Sequence, residues 1–188
     1  LMNVVHEPEV QAPRSTLPHF LHVSNFREEH KQSRIVALVF QKLREEFPEA
    51  RMTMAGNVPE DYRRDLEHVP GLEFTGVCSR KELSRLYGTA TAVVSFSRFE
   101  TFALSIAEGL LHGTPAIYTA CGGPETYMQP HWGLRADADD PESLYICMRS
   151  FCAGSQPWDH ARIAAEAQQL FNQKALLDAF DHWIKELC

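Results

Sequence analysis

The sequence predicts a domain of the α/β class, built on a mostly parallel sheet of about six strands with helices on both faces. Short apolar segments typical of strands alternate with longer segments whose apolar residues recur at helical spacing. Such an alternation favours parallel strands joined by crossover helices. The chain has 188 residues, of which 44% are hydrophobic and 23% charged, so it can bury one core but not comfortably two.

The elements follow one another regularly after a start rich in proline. Residues 1–18 contain three prolines and little periodicity, so we interpret them as a linker, with the folded domain over 19–188. The predicted strands are 20–24, 51–56, 72–76, 92–96, 116–118 and a weak one at 133–135. The predicted helices are 32–47, a short one within 57–68, 80–87, 102–112, 141–151, 158–171 and 174–187.

Local signals set several of these limits. Pro48 ends the first helix, Ser79 is placed to cap the third, and Gly113-Thr114-Pro115 stops the fourth. The resulting order of strands and helices is that of a Rossmann-like, doubly wound domain. In such a sheet, ligands bind beyond the carboxyl ends of the strands. The turns to inspect are therefore 25–31, 76–79, 97–101 and 120–125.

Composition narrows the class of function. The net charge of −7 argues against a nucleic-acid partner, because binding to the phosphate backbone needs clustered Lys and Arg. No apolar run approaches the roughly 20 residues of a transmembrane segment, and the start lacks the pattern of a signal peptide. The five cysteines and nine histidines show neither disulfide nor metal-ligand spacing. We therefore expect a cytoplasmic protein without a metal or another cofactor.

Two carboxylates frame the most informative segment, which passes from a strand through a charged turn into a helix. Glu100 lies in the turn, and Glu108 lies inside the helix at the edge of its apolar arc. A pair of acceptors for sugar hydroxyls beside a helix N-terminus, itself an anion site, suits a nucleotide-sugar. Each residue also has a simpler interpretation. Glu108 would be a solvated surface residue, and Glu100 a favourable charge near a helix start that contributes ~0.3–1 kcal/mol.

Two further loops support a phosphate ligand. After the first strand, Arg27 can grip phosphate oxygens in a fork and Lys31 can supply a point charge. The alternative is a solvated charged loop, which Glu28 and Glu29 between the cations favour. After the fifth strand, the pair Gly122-Gly123 lets backbone approach a ligand closely, or simply makes a tight turn.

These residues resemble the retaining glycosyltransferases of family 4 (group 1), which have the GT-B fold. The segments 97–100 with Glu108, 113–115 and 122–125 are similar to the Glu-x7-Glu region of that family. Residues 22–27 followed by Lys31 resemble the loop after the first strand of the family's C-terminal domain. Residues 1–5 resemble its interdomain crossing. The similarity covers about residues 1–130 and is specific over 92–125.

The resemblance implies a role for each matching residue. Glu108 would accept hydrogen bonds from the ribose, and Glu100 would face the donor sugar and the diphosphate. Arg27 and Lys31 would neutralise the diphosphate, although His30 could occupy the position assigned to Lys31. Backbone N–H groups at the start of the following helix, those of Thr101, Phe102 and Ala103, would bind the phosphates. The loop with Val77, Cys78 and Ser79 would border the base. The turn with Gly123 and Glu125 would lie behind the donor.

The resemblance also implies the reaction and its partners. This chain would be the second, donor-binding domain of a hexosyltransferase that moves a sugar from a nucleoside diphosphate to an acceptor with retention of configuration. Alone it would be inactive, because an N-terminal domain would bind the acceptor and could associate with a membrane. Thr101 and Ala103 depart from the glycines that many members have there. Alternatives are half of a nucleotide-sugar epimerase and a non-catalytic doubly wound binding module. A dehydrogenase is disfavoured, since no Gly-x-Gly-x-x-Gly follows a predicted strand.

Overall fold

A computed structural model describes residues 5–6, 8–10 and 12–171. Within them, six strands form one sheet in the order β3-β2-β1-β4-β5-β6, and every neighbouring pair is parallel. The strands β1 to β6 are His19–Val23, Arg51–Ala55, Leu72–Gly76, Ala92–Ser95, Ala116–Thr119 and Gly133–Ala136. The helices α1 to α6 are Ser33–Glu46, Glu60–Leu66, Arg80–Thr89, Leu104–Leu111, Pro141–Cys152 and His160–Leu170. The predicted Rossmann-like α/β class is confirmed.

Helices cover both faces of the sheet because successive strand residues point to opposite sides. On one face, Phe40 of α1 and Leu144 of α5 are buried with Phe20 of the central strand β1. On the other face lie α3, α4 and α6. Gly109 lets α4 lie close to β4, because a Cβ at this position would meet the Val93 side chain. Within the described residues, no helix is both long and apolar enough for a membrane span.

The order of the strands reverses between β1 and β4, which are neighbours in the sheet but distant in sequence. The loops that leave their carboxyl ends diverge to helices on opposite faces, α1 on one and α4 on the other. Such a switch point opens a crevice for a ligand. Here it is bordered by residues 24–32 and 96–103.

The predicted boundary that bears on the site changes at α4, which begins at Leu104 rather than at residue 102. Ala103 has a left-handed backbone with φ of 62°, so the helix cannot extend back through it. The predicted helix 174–187 lies outside the described residues.

The described part of segment 1–18 contains no helix or strand before residue 18, and it packs on the domain. The Ser15 N–H donates to the Thr89 carbonyl at 2.9 Å. The Arg14 guanidinium donates to the His112 carbonyl at 2.8 Å and to Thr114 Oγ1 at 2.9 Å. The segment is therefore fastened across the ends of α3 and α4.

Candidate functional site

Two predicted site residues form an ion pair at the switch point. Lys31 Nζ lies 2.7 Å from both carboxylate oxygens of Glu100. Lys31 comes from the β1–α1 loop and Glu100 from the β4–α4 loop, and the Glu100 side chain is only 9% exposed. Ser97 Oγ also donates to Glu100 Oε1 at 2.8 Å. The carboxylate is thus held firmly, beside a cation from the opposite loop.

Backbone hydrogen bonds join the same loops. The Arg98 N–H donates to the His30 carbonyl at 2.8 Å, which ties the β4–α4 loop to the β1–α1 loop. The Glu100 N–H donates to the Cys121 carbonyl at 3.0 Å, which ties it to the loop after β5. Three loops therefore meet around Glu100, and its position depends on all of them.

The other cations of the first loop, Arg27 and His30, form no ion pair with Glu100. Arg27 is exposed, and its side chain makes no hydrogen bond or ion pair with any described residue. His30 Nε2 lies 3.3 Å from a Glu28 carboxylate oxygen and is partly exposed. Of the two alternatives, Lys31 is therefore the side chain that reaches Glu100, and Arg27 is open to a ligand.

The start of α4 offers unused backbone donors. Its N-cap residue, Ala103, provides no side-chain cap. The N–H groups of Ala103, Leu104 and Ser105 donate to no acceptor in the part of the chain that the structure describes. Thr101 and Phe102, predicted at the helix start, belong instead to the preceding turn. The unused donors at the helix end therefore include the predicted Ala103, and an anion at this end would be stabilised.

The second glutamate, Glu108, faces α3. The Tyr87 hydroxyl donates to Glu108 Oε2 at 2.9 Å. Both side chains border a cavity of about 40 Å³, with His6 and Arg80 on its other sides. Burial raises the pKa of Glu108, and the Tyr87 hydrogen bond and the two nearby cations partly oppose that rise. The interpretation of Glu108 as a solvated surface residue is therefore wrong.

Glu100 and Glu108 have separate surroundings. Among the described residues, none hydrogen-bonds to both carboxylates. Glu100 lies at the switch point before α4, and Glu108 lies in its second turn beside Tyr87. The spacing of eight residues therefore places Glu100 before the start of α4 and Glu108 within the helix, where it faces α3.

The loop after β5 packs on the start of α4. A Cβ at Gly123 would lie 2.6 Å from the Phe102 nitrogen, so only glycine allows this approach. The Glu125 carboxylate accepts hydrogen bonds from the N–H groups of Cys121 (3.0 Å) and Gly122 (2.8 Å). Burial would raise the pKa of Glu125, but these backbone donors lower it overall. Both residues thus shape the loop.

The loop after β3 is the predicted neighbour of the base. Val77 is 80% exposed, and the Cys78 thiol lies 3.2 Å from Thr75 Oγ1. The Ser79 N–H and hydroxyl are engaged with Glu82, in a capping box that starts α3. Ser79 therefore has its backbone donor occupied, whereas Val77 presents an open apolar surface.

Sequence reasoning missed several residues that hold the site. Ser97 and Tyr87 bind the two glutamates, and His22 lies buried beneath Glu100. Gln32 and Arg98 both donate to Asp139 Oδ1, which joins the loops after β1, β4 and β6. The helical spacing of Ser84 and Tyr87 could have indicated a polar stripe on α3. His22, Gln32 and Arg98 are distant in sequence from their partners, so no local pattern could have indicated them. Within the described residues, no group of three or more His, Cys, Asp or Glu is placed to hold a metal ion.

Known proteins share this architecture. Mannosylfructose-phosphate synthase of Agrobacterium fabrum is 29% identical over 150 residues, which cover 72% of this chain and 32% of that protein. Sucrose-phosphate synthase of Thermosynechococcus elongatus matches with a TM-score of 0.74 and 23% identity, over 92% of this chain and 46% of that one. Anabaena HepE in complex with UDP-glucose matches with a TM-score of 0.72 and 17% identity, over 88% of this chain and 49% of that one.

This chain spans about a third of the curated relative and about half of each of the two solved structures. At such low identity, the solved structures show a shared GT-B-like fold and nothing finer. The family described as glycosyl transferases group 1 matches residues 17–153, which is more than half of the chain. The chain therefore belongs to the group 1 glycosyl transferases.

Proposed function

We propose that this chain is the donor-binding, C-terminal half of a family 4 retaining glycosyltransferase of the hexosyltransferase type. The observation that carries the proposal is the Lys31–Glu100 pair beside the uncapped start of α4. A cation and several unused N–H groups converge there on the crevice between β1 and β4. This combination suits the diphosphate of a nucleotide-sugar.

In the proposed complex, the diphosphate lies between Lys31 and the start of α4. Arg27, which is free of partners among the described residues, supplies a second cation from the same loop. As the bond to the sugar breaks, negative charge grows on the diphosphate, and these fixed donors stabilise it. In this proposal, cations and backbone amides replace a metal. Glu100 faces the sugar and keeps Lys31 oriented before the donor arrives.

The ribose binds at Glu108. Its Oε2 is occupied by the Tyr87 hydroxyl, while Oε1 accepts no hydrogen bond from the described residues. That free oxygen can accept from a ribose hydroxyl. The base extends toward 76–79, where exposed Val77 offers an apolar contact, and the Gly123–Glu125 turn supports the donor from behind.

The acceptor and the remaining catalytic groups are assigned to an N-terminal domain outside this chain. The coverage of only about half of the solved GT-B-like structures supports this division. We therefore expect the chain alone to bind nucleotide without transferring sugar. The cytoplasmic location, and membrane association through the other half, stay predictions.

Calorimetry with UDP, GDP and ADP tests the donor site. We expect one of them to bind, and Glu108→Ala to weaken that binding by about 10-fold to 100-fold, because a charged hydrogen-bond acceptor contributes roughly 1.5–3 kcal/mol. Glu142→Ala on the exposed face of α5 is the control and should leave the affinity unchanged. Absence of binding to all three nucleotides, or equal affinities for the two variants, contradicts the proposal.

Analysis of the products of an assembled enzyme tests the reaction. NMR of the new glycoside should show the same anomeric configuration as the donor sugar. Inversion would refute the retaining mechanism. An isomerised donor without a glycoside would identify an epimerase instead.

A further inference from the structure

His22 is a fully buried, polar residue in the central strand β1, beneath the Lys31–Glu100 pair. Its side chain makes two hydrogen bonds. Nδ1 lies 2.9 Å from the Val94 carbonyl oxygen of β4, and Nε2 lies 2.8 Å from Ser33 Oγ at the first residue of α1. It is 2% exposed, so water cannot replace either partner.

The partners define which nitrogen carries the proton. The Val94 carbonyl can only accept, so His22 Nδ1 must be the protonated nitrogen. In the neutral ring, Nε2 then accepts a hydrogen bond from the Ser33 hydroxyl. Burial lowers the pKa of His22 to about 4, so the neutral ring with this one tautomer prevails at neutral pH. The ring therefore bridges one acceptor and one donor on opposite sides.

The bridged groups belong to the loops that carry the site. Ser33 follows Lys31 by two residues, and Val94 lies on the strand that leads to Glu100. The Phe26 ring, buried in the first loop beside Arg27, packs edge-on against His22 with centroids 5.7 Å apart. Lys31 and Glu100 themselves lie near enough to influence the imidazole electrostatically.

We propose that His22 is a positioning residue of this site, whose two ring nitrogens join Ser33 to Val94 and thereby hold the Lys31 and Glu100 loops together. The proposal rests on the proposed function for its consequence, which is a diphosphate subsite of fixed width. Its structural part, the joining of two loops, stands independently of the ligand.

An apolar side chain at position 22 could not form the two hydrogen bonds that the His22 ring makes. Leucine would fill a similar volume but would remove the His22 partner of the Val94 carbonyl and leave the Ser33 hydroxyl only its longer contact, 3.3 Å, with Ser24 Oγ. Glutamine can still place an oxygen near Ser33 and keep one of the two links. If the hydrogen bonds matter, His22→Leu should weaken nucleotide binding more than His22→Gln does. If His22 only fills space, the two variants should not differ in this order.

The same strand provides a matched control. At the opposite end of β1, His19 Nε2 lies 2.9 Å from Thr53 Oγ1. This is also an imidazole–hydroxyl pair, but His19 is the first residue of β1, at the end of the strand away from the Lys31–Glu100 pair. Ser33→Ala and Thr53→Ala therefore remove the same kind of bond, one below the switch point and one far from it.

Two measurements on the full chain test the proposal. The first is the affinity for whichever of UDP, GDP and ADP binds the wild type. We expect Ser33→Ala to weaken it about fivefold and Thr53→Ala to leave it within about twofold. His22→Leu should weaken it at least as much as Ser33→Ala, and His22→Gln should recover part of the loss.

The second measurement is hydrogen exchange at the Arg98 amide, which donates to the His30 carbonyl across the two loops. Ser33→Ala should speed this exchange several-fold relative to Thr53→Ala. If neither the affinity nor the exchange differs between these two variants, the proposal is overturned. If the wild type binds none of the nucleotides, the proposed function fails, and exchange at Arg98 alone decides whether His22 joins the loops.

Discussion

The starts of α3 and α4 lie at the same edge of the sheet but are built in opposite ways. At α3, Ser79 and Glu82 form a reciprocal capping box, with the Ser79 N–H donating to Glu82 Oε2 at 2.8 Å. At α4, a left-handed Ala103 stands at the N-cap with no side-chain cap. One helix end satisfies its own donors, and the other leaves them for an external anion. Under the proposed function, the start of α4 leaves its donors to the ligand at a cost in stability.

The same distinction extends to α1, the other helix at the switch point. Its N-cap, Gln32, is also left-handed and provides no side-chain cap, whereas Asp140 and Asp159 cap α5 and α6. The two uncapped starts flank the Lys31–Glu100 pair. The helices remote from it are capped by their own side chains, apart from the short α2.

Removal of the switch-point cation should have the largest effect. We expect Lys31→Ala to weaken nucleoside diphosphate binding about 100-fold, since loss of one partner from a desolvated charged contact costs about 2–5 kcal/mol. Lys42→Ala is the control, because Lys42 lies on the exposed side of α1 and pairs with Glu142 of α5. Calorimetry measures both. Equal affinities for the two variants would place the diphosphate elsewhere.

Acid should weaken the fold through the residue beneath the switch point. The pKa of His22 is about 4 in the folded protein, below the ordinary 6.5, so between these values the unfolded chain binds the proton more tightly. The free energy of unfolding should therefore fall as the pH decreases from 6.5 to 4, by roughly 3 kcal/mol from this residue. Urea unfolding across this range measures it. His22→Gln should flatten the slope, and an unchanged slope would contradict the assigned cause.

An acid placed at the first residue of α4 should make this helix resemble α3. Leu104 is 41% exposed, so Leu104→Asp does not disturb the core. The added carboxylate should stabilise the helix by ~0.3–1 kcal/mol and repel a diphosphate, which weakens its binding about tenfold. Leu104→Asn, without the charge, should change the affinity little. A diphosphate that binds Leu104→Asp as well as wild type would exclude the helix end as its site.

Loss of the capping box should lower the stability of α3 and leave the nucleotide affinity nearly unchanged. Ser79→Ala removes the hydroxyl that accepts from the Glu82 N–H. We expect the free energy of unfolding to fall by about 1 kcal/mol, with nucleotide affinity within about twofold of wild type. Thermal unfolding and calorimetry give the two values. A large loss of affinity with little loss of stability would assign Ser79 to the ligand.

The sheet was predictable because its signals are local. Alternating strand and helix segments predicted all six strands, including the weak one that became β6, and the Ser79 cap was readable from one residue. The parallel order also placed the loops with Lys31 and Glu100 at the same edge of the sheet, but it did not predict that β1 and β4 are neighbours. Periodicity and caps depend on neighbouring residues, so the sequence carries them directly.

Other features depend on contacts between distant segments and could not be predicted. Nothing in the sequence around Ala103 indicates a left-handed residue, since alanine favours helices; packing of Gly123 on Phe102 accompanies that turn. Tyr87 reaches Glu108 from another helix, and His22 in an apolar strand reads as a core residue. Each depends on tertiary proximity rather than on spacing.

The left-handed conformation of Ala103 has a practical consequence for attempts to raise the thermal stability of this protein. Position 103 bears a Cβ in a conformation that disfavours one, and glycine there would remove a penalty of about 1 kcal/mol. A laboratory screen for heat-resistant variants should therefore recover glycine at this codon. It should reject valine, isoleucine and threonine, whose branched side chains tolerate that geometry least.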